Sequence, residues 1–343
     1  MKKKNKIAIF GPYPPPLGGI SVHIQRMEYF LKKENIPYLI YDHAYSQNKN
    51  VVPTKKRIFW YIKFLFQREH RLIHFHNFIY FHFLYYVLFY YINKTPFLIT
   101  IHGERLLNNN RFMNSISFWF LKRLKDTLII SVSNKVHDKL STLGLNSIYL
   151  PAYVQPSEVH KHNIPINNRK YFLFSTWKIE KKLSIDIYNI PLIFEFLKKN
   201  KQNFKMLFLI GNKEISDLDY LNEMIDKYGL KEDIVVMFNK NIVDYVHNCE
   251  FLIRTNLEDG YGVSLQEAMD LGVPAIASDV CTRPKGTVLF KSADLNDMTD
   301  KIKYVVSVDK KEILKDKEDL DYHYQLIDFY KKILDQNIAK IEY

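Results

Sequence analysis

The sequence predicts two α/β domains in tandem, each a parallel sheet with helices on both faces. Three observations carry this prediction. Short apolar runs alternate with amphipathic helix-length stretches through residues 7–150, the alternation stops at a polar stretch, 156–169, and it restarts beyond. Parallel strands joined by crossover helices give that rhythm. A length of 343 residues suits two domains at roughly 150 residues each.

Taken in order, Ile7–Phe10 is a short strand ending at Gly11, followed by a loop with Pro14–Pro16 and Gly18–Gly19. A helix runs from about Ser21 to Lys33, with Ile24, Met27, Phe30 and Leu31 on one face. Pro37–Tyr41, Leu72–Phe75, Phe97–Ile101 and Thr127–Val132 read as further strands. Ser133 or Asn134 caps a helix running to about Leu143. Beyond the linker, Tyr171–Ser175, Met206–Ile210, Ile234–Phe238, Phe251–Arg254 and Ala275–Ala277 read as strands, and Tyr322–Ile341 as a last amphipathic helix. The expected domains are 1–155, 166–320 and the closing helix segment, 321–343.

Charge is unevenly placed. Residues 1–150 hold 22 Lys+Arg and 7 Asp+Glu, a balance of +15, whereas the remaining 27 and 30 balance to −3. A basic first half points to an anionic partner. The basic residues are scattered and no nucleic-acid reader motif is present, which argues against nucleic acid. An anionic membrane surface or a lipid-linked phosphate remains. Lys55–Arg68 interleaves Ile58, Phe59, Ile62, Leu65 and Phe66 with Trp60, Tyr61 and basic flanks, the composition of an interfacial helix. Core packing is the alternative for that stretch. Phe78–Ile92 is almost wholly apolar, but falls short of the ~20 residues a bilayer span needs. A helix apolar on all sides is expected to be buried between neighbours. Cys249 and Cys281 sit in apolar or strand-like contexts and suit a reducing compartment. The apolar run behind Met1–Lys6 is too short for a signal-peptide core, so a cytoplasmic protein, peripheral on the inner face of the plasma membrane, is expected.

Two loops carry candidate chemistry. In GPYPPPLGGIS, Gly18 and Gly19 stand just before a helix, where backbone N–H groups can meet a phosphate; the alternative is a plain turn. Residues 254–274, RTNLEDGYGVSLQEAMDLGVP, place Glu258, Asp259, Gly260 and Gly262 in a loop between a strand ending at Arg254 and a helix from about Ser264. Ligands of parallel sheets bind beyond the carboxyl ends of strands, where this loop lies. Ser264 and Glu267 also fit a capping box, and the glycines a tight turn.

Asp259-Gly260-Tyr261-Gly262, Glu267-Ala268-Met269 and Gly272-x-Pro274 together resemble the signature of family 4 retaining glycosyltransferases of the GT-B fold. The GPYPPPLGGIS opening, Ile73–Asn77, Thr100–Gly103 and Val132–Asn134 are similar to other parts of that family, and residues 278–290 to its capsule, exopolysaccharide and O-antigen branch. The resemblance implies two Rossmann-like domains facing across a cleft, with the C-terminal helix crossing back to the first. It implies a nucleotide-sugar donor as substrate, no metal or other cofactor, and a glycan or polyprenyl-linked acceptor. It further implies that Glu267 bonds the ribose, Asp259 holds the donor sugar, Gly18 and Gly19 meet the diphosphate, and His102 lies near the anomeric carbon. Gly260, Val263 and Ser264 complete the donor set by the same resemblance. The family's Arg–Lys clamp is absent here. Its expected replacements are Lys178 or Lys182, assisted by Arg254 or Arg283. That departure motivates the alternative of a catalytically weak partner in a polysaccharide-assembly complex. His74 and His76 lie on one face of a strand, a core pair or a metal pair without an evident third ligand. Asp217-Leu218-Asp219 matches a metal-binding pattern but reads as a helix start.

Overall fold

The computed structural model describes residues 6–14, 18–42, 51–54, 57–76, 80–102, 106–107, 111–124, 127–151, 153–156, 158–164, 169–179, 186–319 and 321–335. Contacts divide the chain into two units. One holds Met1–Pro15, Gly19–Gln155 and Asp321–Tyr343; the other holds Pro16–Gly18 and Pro156–Leu320.

The first unit runs β1 (Ile7–Phe10), α1 (Gly19–Lys33), β2 (Tyr38–Asp42), β3 (Val51–Pro53), α2 (Arg57–Phe66), β4 (Leu72–Phe75), α3 (Tyr80–Ile92), β5 (Phe97–Ile101), α4 (Arg111–Leu121), β6 (Leu128–Ser131), α5 (Asn134–Thr142) and β7 (Ser147–Tyr149). Its seven strands are all parallel, in the order β3-β2-β1-β4-β5-β6-β7. Alternation sorts the side chains. Ile7 and Ile9 pack with Ile24, Met27 and Leu31 of α1, whereas Ala8 and Phe10 pack on the other face with Phe64, Phe83 and Phe89 of α2 and α3.

The second unit runs β8 (Lys170–Thr176), α6 (Ile190–Asn200), β9 (Phe204–Ile210), α7 (Leu218–Tyr228), β10 (Ile234–Phe238), two short 3-10 turns, β11 (Leu252–Arg254), α8 (Val263–Asp270), β12 (Ala275–Ser278), β13 (Val288–Phe290), α9 (Leu295–Ser307) and α10 (Lys310–Leu314). These six strands are also parallel, in the order β10-β9-β8-β11-β12-β13. Asp217 caps α7 by accepting the Tyr220 N–H at 3.0 Å, and Asp294 caps α9 through Asn296 and Asp297. The expected α/β class, with two Rossmann-like sheets, is what the chain adopts.

The last helix, α11 (Tyr322–Asp335), belongs to the first unit. Leu326, Ile327, Tyr330 and Ile333 join the core beside α1, and Lys331 Nζ lies 2.6 Å from Glu34 Oε2. The helix was expected to reach Ile341; it is described to Asp335, and 336–343 lie outside the described residues.

The structure refines the sequence reading at four places. The helix read at Phe78–Ile92 is not buried all round, because Leu84, Leu88 and Tyr91 of α3 are exposed. The strands β3 and β13, three residues each, are too short to show a period. The helix start read at Asp217-Leu218-Asp219 falls at Asp217, whose carboxylate makes the capping bond. Cys281 lies in the loop after β12, with its thiol donating to the Gly260 carbonyl at 2.7 Å.

Gly11 ends β1 where the chain passes close to α1 and the end of β4. A Cβ there would stand 2.3 Å from Ile24 Cδ1 and 3.1 Å from His76 Cβ. The methyl of Ile24 can turn away, but His76 Cβ is fixed to its backbone. Gly11→Ala is therefore expected to cost about 1–3 kcal/mol, measured by urea denaturation.

Candidate functional site

In both sheets the strand order reverses next to the first strand of the unit, between β1 and β4 and between β8 and β11. Loops diverge there to opposite faces, leaving room for a ligand at the carboxyl ends. The sequence-selected residues collect at these two places.

In the second unit, Arg254 ends β11, Asp259 lies in the loop leading to α8, and Arg283 follows the adjacent strand β12. Arg254 Nε and Nη2 each donate to the Asp259 carboxylate at 2.8 Å, a bidentate pair. Arg283 Nη1 donates to Asp259 Oδ2 at 2.5 Å, and the Gly260 N–H donates to Oδ1 at 2.9 Å. Four donors occupy the four lone-pair positions of this carboxylate. Asp259 is thus engaged by arginines, and in this arrangement no acceptor site is left for a sugar hydroxyl. Burial alone would raise its pKa, but Arg254, and after it Arg283, outweigh burial and hold it below the ordinary carboxylate value. The same pairing raises that of Arg254 against its own burial.

Both arginines are fixed from behind. Arg254 Nη1 donates to Ser264 Oγ at 3.1 Å, and Arg283 Nε donates to the Ser278 carbonyl at 3.0 Å. Two guanidinium groups against one carboxylate leave a net positive charge. The amino end of α8, which begins at Val263, adds to it in the same loop. Gly262 precedes the helix at φ +79°, where a side chain is strained, and a Cβ would also meet Leu265 Cδ1 at 2.7 Å. The helix therefore starts one residue before Ser264. The capping box read from Ser264 and Glu267 does not form at this end, and the serine hydroxyl meets Arg254 instead. Glu267 is buried in α8, 5% exposed. Gly260 and the exposed Glu258 flank Asp259. Lys178, half-buried, follows the end of β8, the neighbour of β11. Lys182 lies outside the described residues.

Gly18, which belongs with the second unit, precedes α1, and Gly19 of the first unit is the first residue of that helix, with open space where a Cβ would stand on Gly19. At the ends of β4 and β5 stands an array of imidazoles. His76 Nδ1 lies 3.1 Å from His102 Nε2, and the rings of His74 and His76 are 3.8 Å apart. The His74 ring bonds the Tyr330 hydroxyl of α11 through Nδ1 and Thr100 Oγ1 at 2.7 Å through Nε2. His23 of α1 packs against both His76 and His102. Burial, and after it the neighbouring imidazoles, lower the pKa of His74, His76 and His102 well below the ordinary value. Neutral imidazole offers one donor and one acceptor, which the two hydroxyls around His74 can satisfy. His74 is thus a satisfied core histidine. Among the described residues, no group of three or more His, Cys, Asp or Glu side chains is placed to hold a metal ion.

Sequence reasoning passed over Tyr330 and His23, and it took Thr100 and Ser278 only as parts of longer motifs, with no role of their own. Only Tyr330 lay beyond any local signal, since its partner His74 is 256 residues away.

Comparison with known proteins agrees with the fold. Residues 163–315 match the family description "Glycosyl transferases group 1". No curated protein sequence matches the chain. Among solved structures, a glycosyltransferase from Rickettsia africae superposes with a TM-score of 0.70 at 14% identity, covering 96% of this chain and 98% of that one. HepE of Anabaena, solved with UDP and glucose, superposes at 0.66 with 11% identity over 95% and 99%. WaaG, a glycosyltransferase of lipopolysaccharide biosynthesis, superposes at 0.64 with 12% identity over 96% and 99%. At these identities the structures establish the fold, which is GT-B, while the matched segment spans β8 through α10 and hence the arginine site.

Proposed function

We propose that this chain, whose residues 163–315 match the glycosyl transferases group 1, moves a hexose-type sugar from a nucleotide-diphosphate sugar to a glycan or lipid-linked glycan acceptor. The observation that carries this reading is the pair Arg254 and Arg283, organised by Asp259 beside the amino end of α8 at the switch point of the second sheet. A net positive cluster on rigid strand ends suits the diphosphate, whose charge rises as the glycosidic bond breaks. It also supplies the cations that the expected Arg–Lys clamp would have provided. HepE, of the same fold, binds UDP and UDP-glucose.

In this reading the bond between the anomeric carbon and the diphosphate oxygen breaks and the acceptor oxygen bonds to that carbon. The electron pair leaves with the diphosphate, and the acceptor proton goes to the departing phosphate. Attack on the leaving-group face retains configuration, as the family resemblance implies. Glu267 bonds the ribose hydroxyls, and Gly18, Gly19 and Lys178 contribute to phosphate binding. His102 keeps its assignment beside the anomeric carbon, tested by His102→Ala in the transfer assay. The context is cell-surface polysaccharide synthesis on the cytoplasmic side of the plasma membrane, with no metal required.

Occupation of the Asp259 carboxylate by two arginines favours a second reading, a donor-binding partner protein without turnover. A thermal-shift screen of UDP-, GDP- and CMP-sugars, followed by a transfer assay with the nucleotide sugar selected, separates the outcomes. One nucleotide sugar at a hundredfold excess over its Kd is expected to stabilise the chain by about 2.7 kcal/mol. Stabilisation with transfer to a glycan acceptor supports the enzyme; stabilisation without any turnover supports the partner. No shift with any nucleotide sugar would remove both.

A further inference from the structure

The helices α2, α3 and α4 pack side by side on one face of the first sheet. Among the described residues, nine of the fifteen exposed large apolar or aromatic side chains lie on these three neighbouring helices. Phe66 of α2 is 71% exposed, Phe112 of α4 is 70% exposed, and Phe59, Tyr91 and Trp119 are each more than half exposed. None of the three helices contains an acidic residue. Cations stand among the rings. Lys63 Nζ lies 4.6 Å from the Trp60 ring, Arg123 lies 3.1 Å over Trp119, and Arg68 reaches from beyond α2 to the Ile92 carbonyl at 3.1 Å. Glu69, just past α2, is the nearest acid in sequence.

From this arrangement we infer that the α2–α3–α4 face docks on an anionic lipid bilayer, with the exposed rings entering the headgroup region and Lys63, Arg68 and Arg123 meeting lipid phosphates. Interleaved aromatic and basic side chains fit that depth, where one end of a ring is apolar and the other wet. A protein partner is the weaker fit, because the cores of protein interfaces are depleted in lysine. No helix among the described residues is long and apolar enough to cross a membrane, so the contact is interfacial. Docking of this kind is independent of the donor site: vesicle binding is measured without nucleotide, and its failure leaves the transfer assay unaffected.

The test is cosedimentation of the full chain with phosphatidylcholine vesicles, with and without phosphatidylglycerol, alongside Phe66→Ser, Trp119→Ser and Lys63→Glu. The chain is expected to bind the vesicles that contain phosphatidylglycerol, to prefer them over neutral ones, and to be released by salt. Each aromatic variant should partition roughly tenfold less or weaker still, with an unchanged melting temperature because the side chains are exposed. Absence of binding, equal binding to neutral vesicles, or variants that bind like the parent would overturn the assignment. So would a dimer in lipid-free solution that the same variants dissociate, since the face would then serve a second copy.

Discussion

Asp259→Ala is expected to destabilise the second unit by about 3–5 kcal/mol, because it leaves the buried Arg283 guanidinium and the largely buried Arg254 guanidinium without their shared counter-ion. It is also expected to weaken a nucleoside diphosphate and the corresponding nucleotide sugar alike, since Arg254 and Arg283 lose the group that aims them. A carboxylate that merely held the sugar would behave differently: its removal would spare stability and spare the free diphosphate. Asp259→Asn keeps the shape without the charge and should fall between parent and alanine, which keeps the comparison readable if the alanine variant folds poorly. Adding Arg254→Met to Asp259→Ala should recover part of the lost stability, as one uncompensated charge goes. The pH dependence has a fixed sign. The folded pKa of Asp259 is depressed, so its contribution is complete above the unfolded carboxylate value of about 3.9 and is lost as pH falls through the folded one. Urea denaturation of the three variants provides the measurement.

The second large effect is acid lability centred on His74 and His76, which are 0% and 2% exposed. Their folded pKa values lie well below the ordinary one. Unfolded chains therefore take up protons below about pH 6.5 that the native array refuses. Stability is complete above that pH and falls by about 1.4 kcal/mol per pH unit for each such group until its folded pKa is reached. Between pH 7 and pH 5 the pair should therefore lower stability progressively. His102 is half-buried and adds less. The neighbours make relief difficult. His23, His102 and the Tyr330 hydroxyl, whose own pKa is raised by burial, supply no negative charge to hold an imidazolium. Replacing His74 by Asn should flatten the slope by about one proton, even if it lowers stability at neutral pH. A flat denaturation profile from pH 7 to pH 5 in the parent would contradict the account.

Much of the fold was legible because parallel strands buried on both faces read as short apolar runs, as at Ile7–Phe10 and Met206–Ile210. The glycines of Asp259–Gly262 marked the loop before α8, and the class of protein followed from that loop together with the first unit's strand ends. The pairing of Asp259 with Arg283 was not legible, since 24 residues and a strand separate them and only the sheet order brings them together. Ser264 shows the same limit at short range. S-x-x-E spacing describes a capping box, but a left-handed Gly262 starts the helix early and frees the hydroxyl for Arg254. The aromatic helices were ambiguous because composition alone does not say which rings the sheet covers. Phe64 turns into the core, while Phe59 and Phe66 turn out.

Calorimetric titration of the nucleoside diphosphate chosen by the screen, against its free nucleoside, tests the arginine site most directly. The account predicts that the diphosphate binds at least about tenfold more tightly, a difference of about 1.4 kcal/mol, and that Arg254→Met or Arg283→Met removes most of that difference. Equal affinity for nucleoside and diphosphate, or a preference that survives both substitutions, would contradict it.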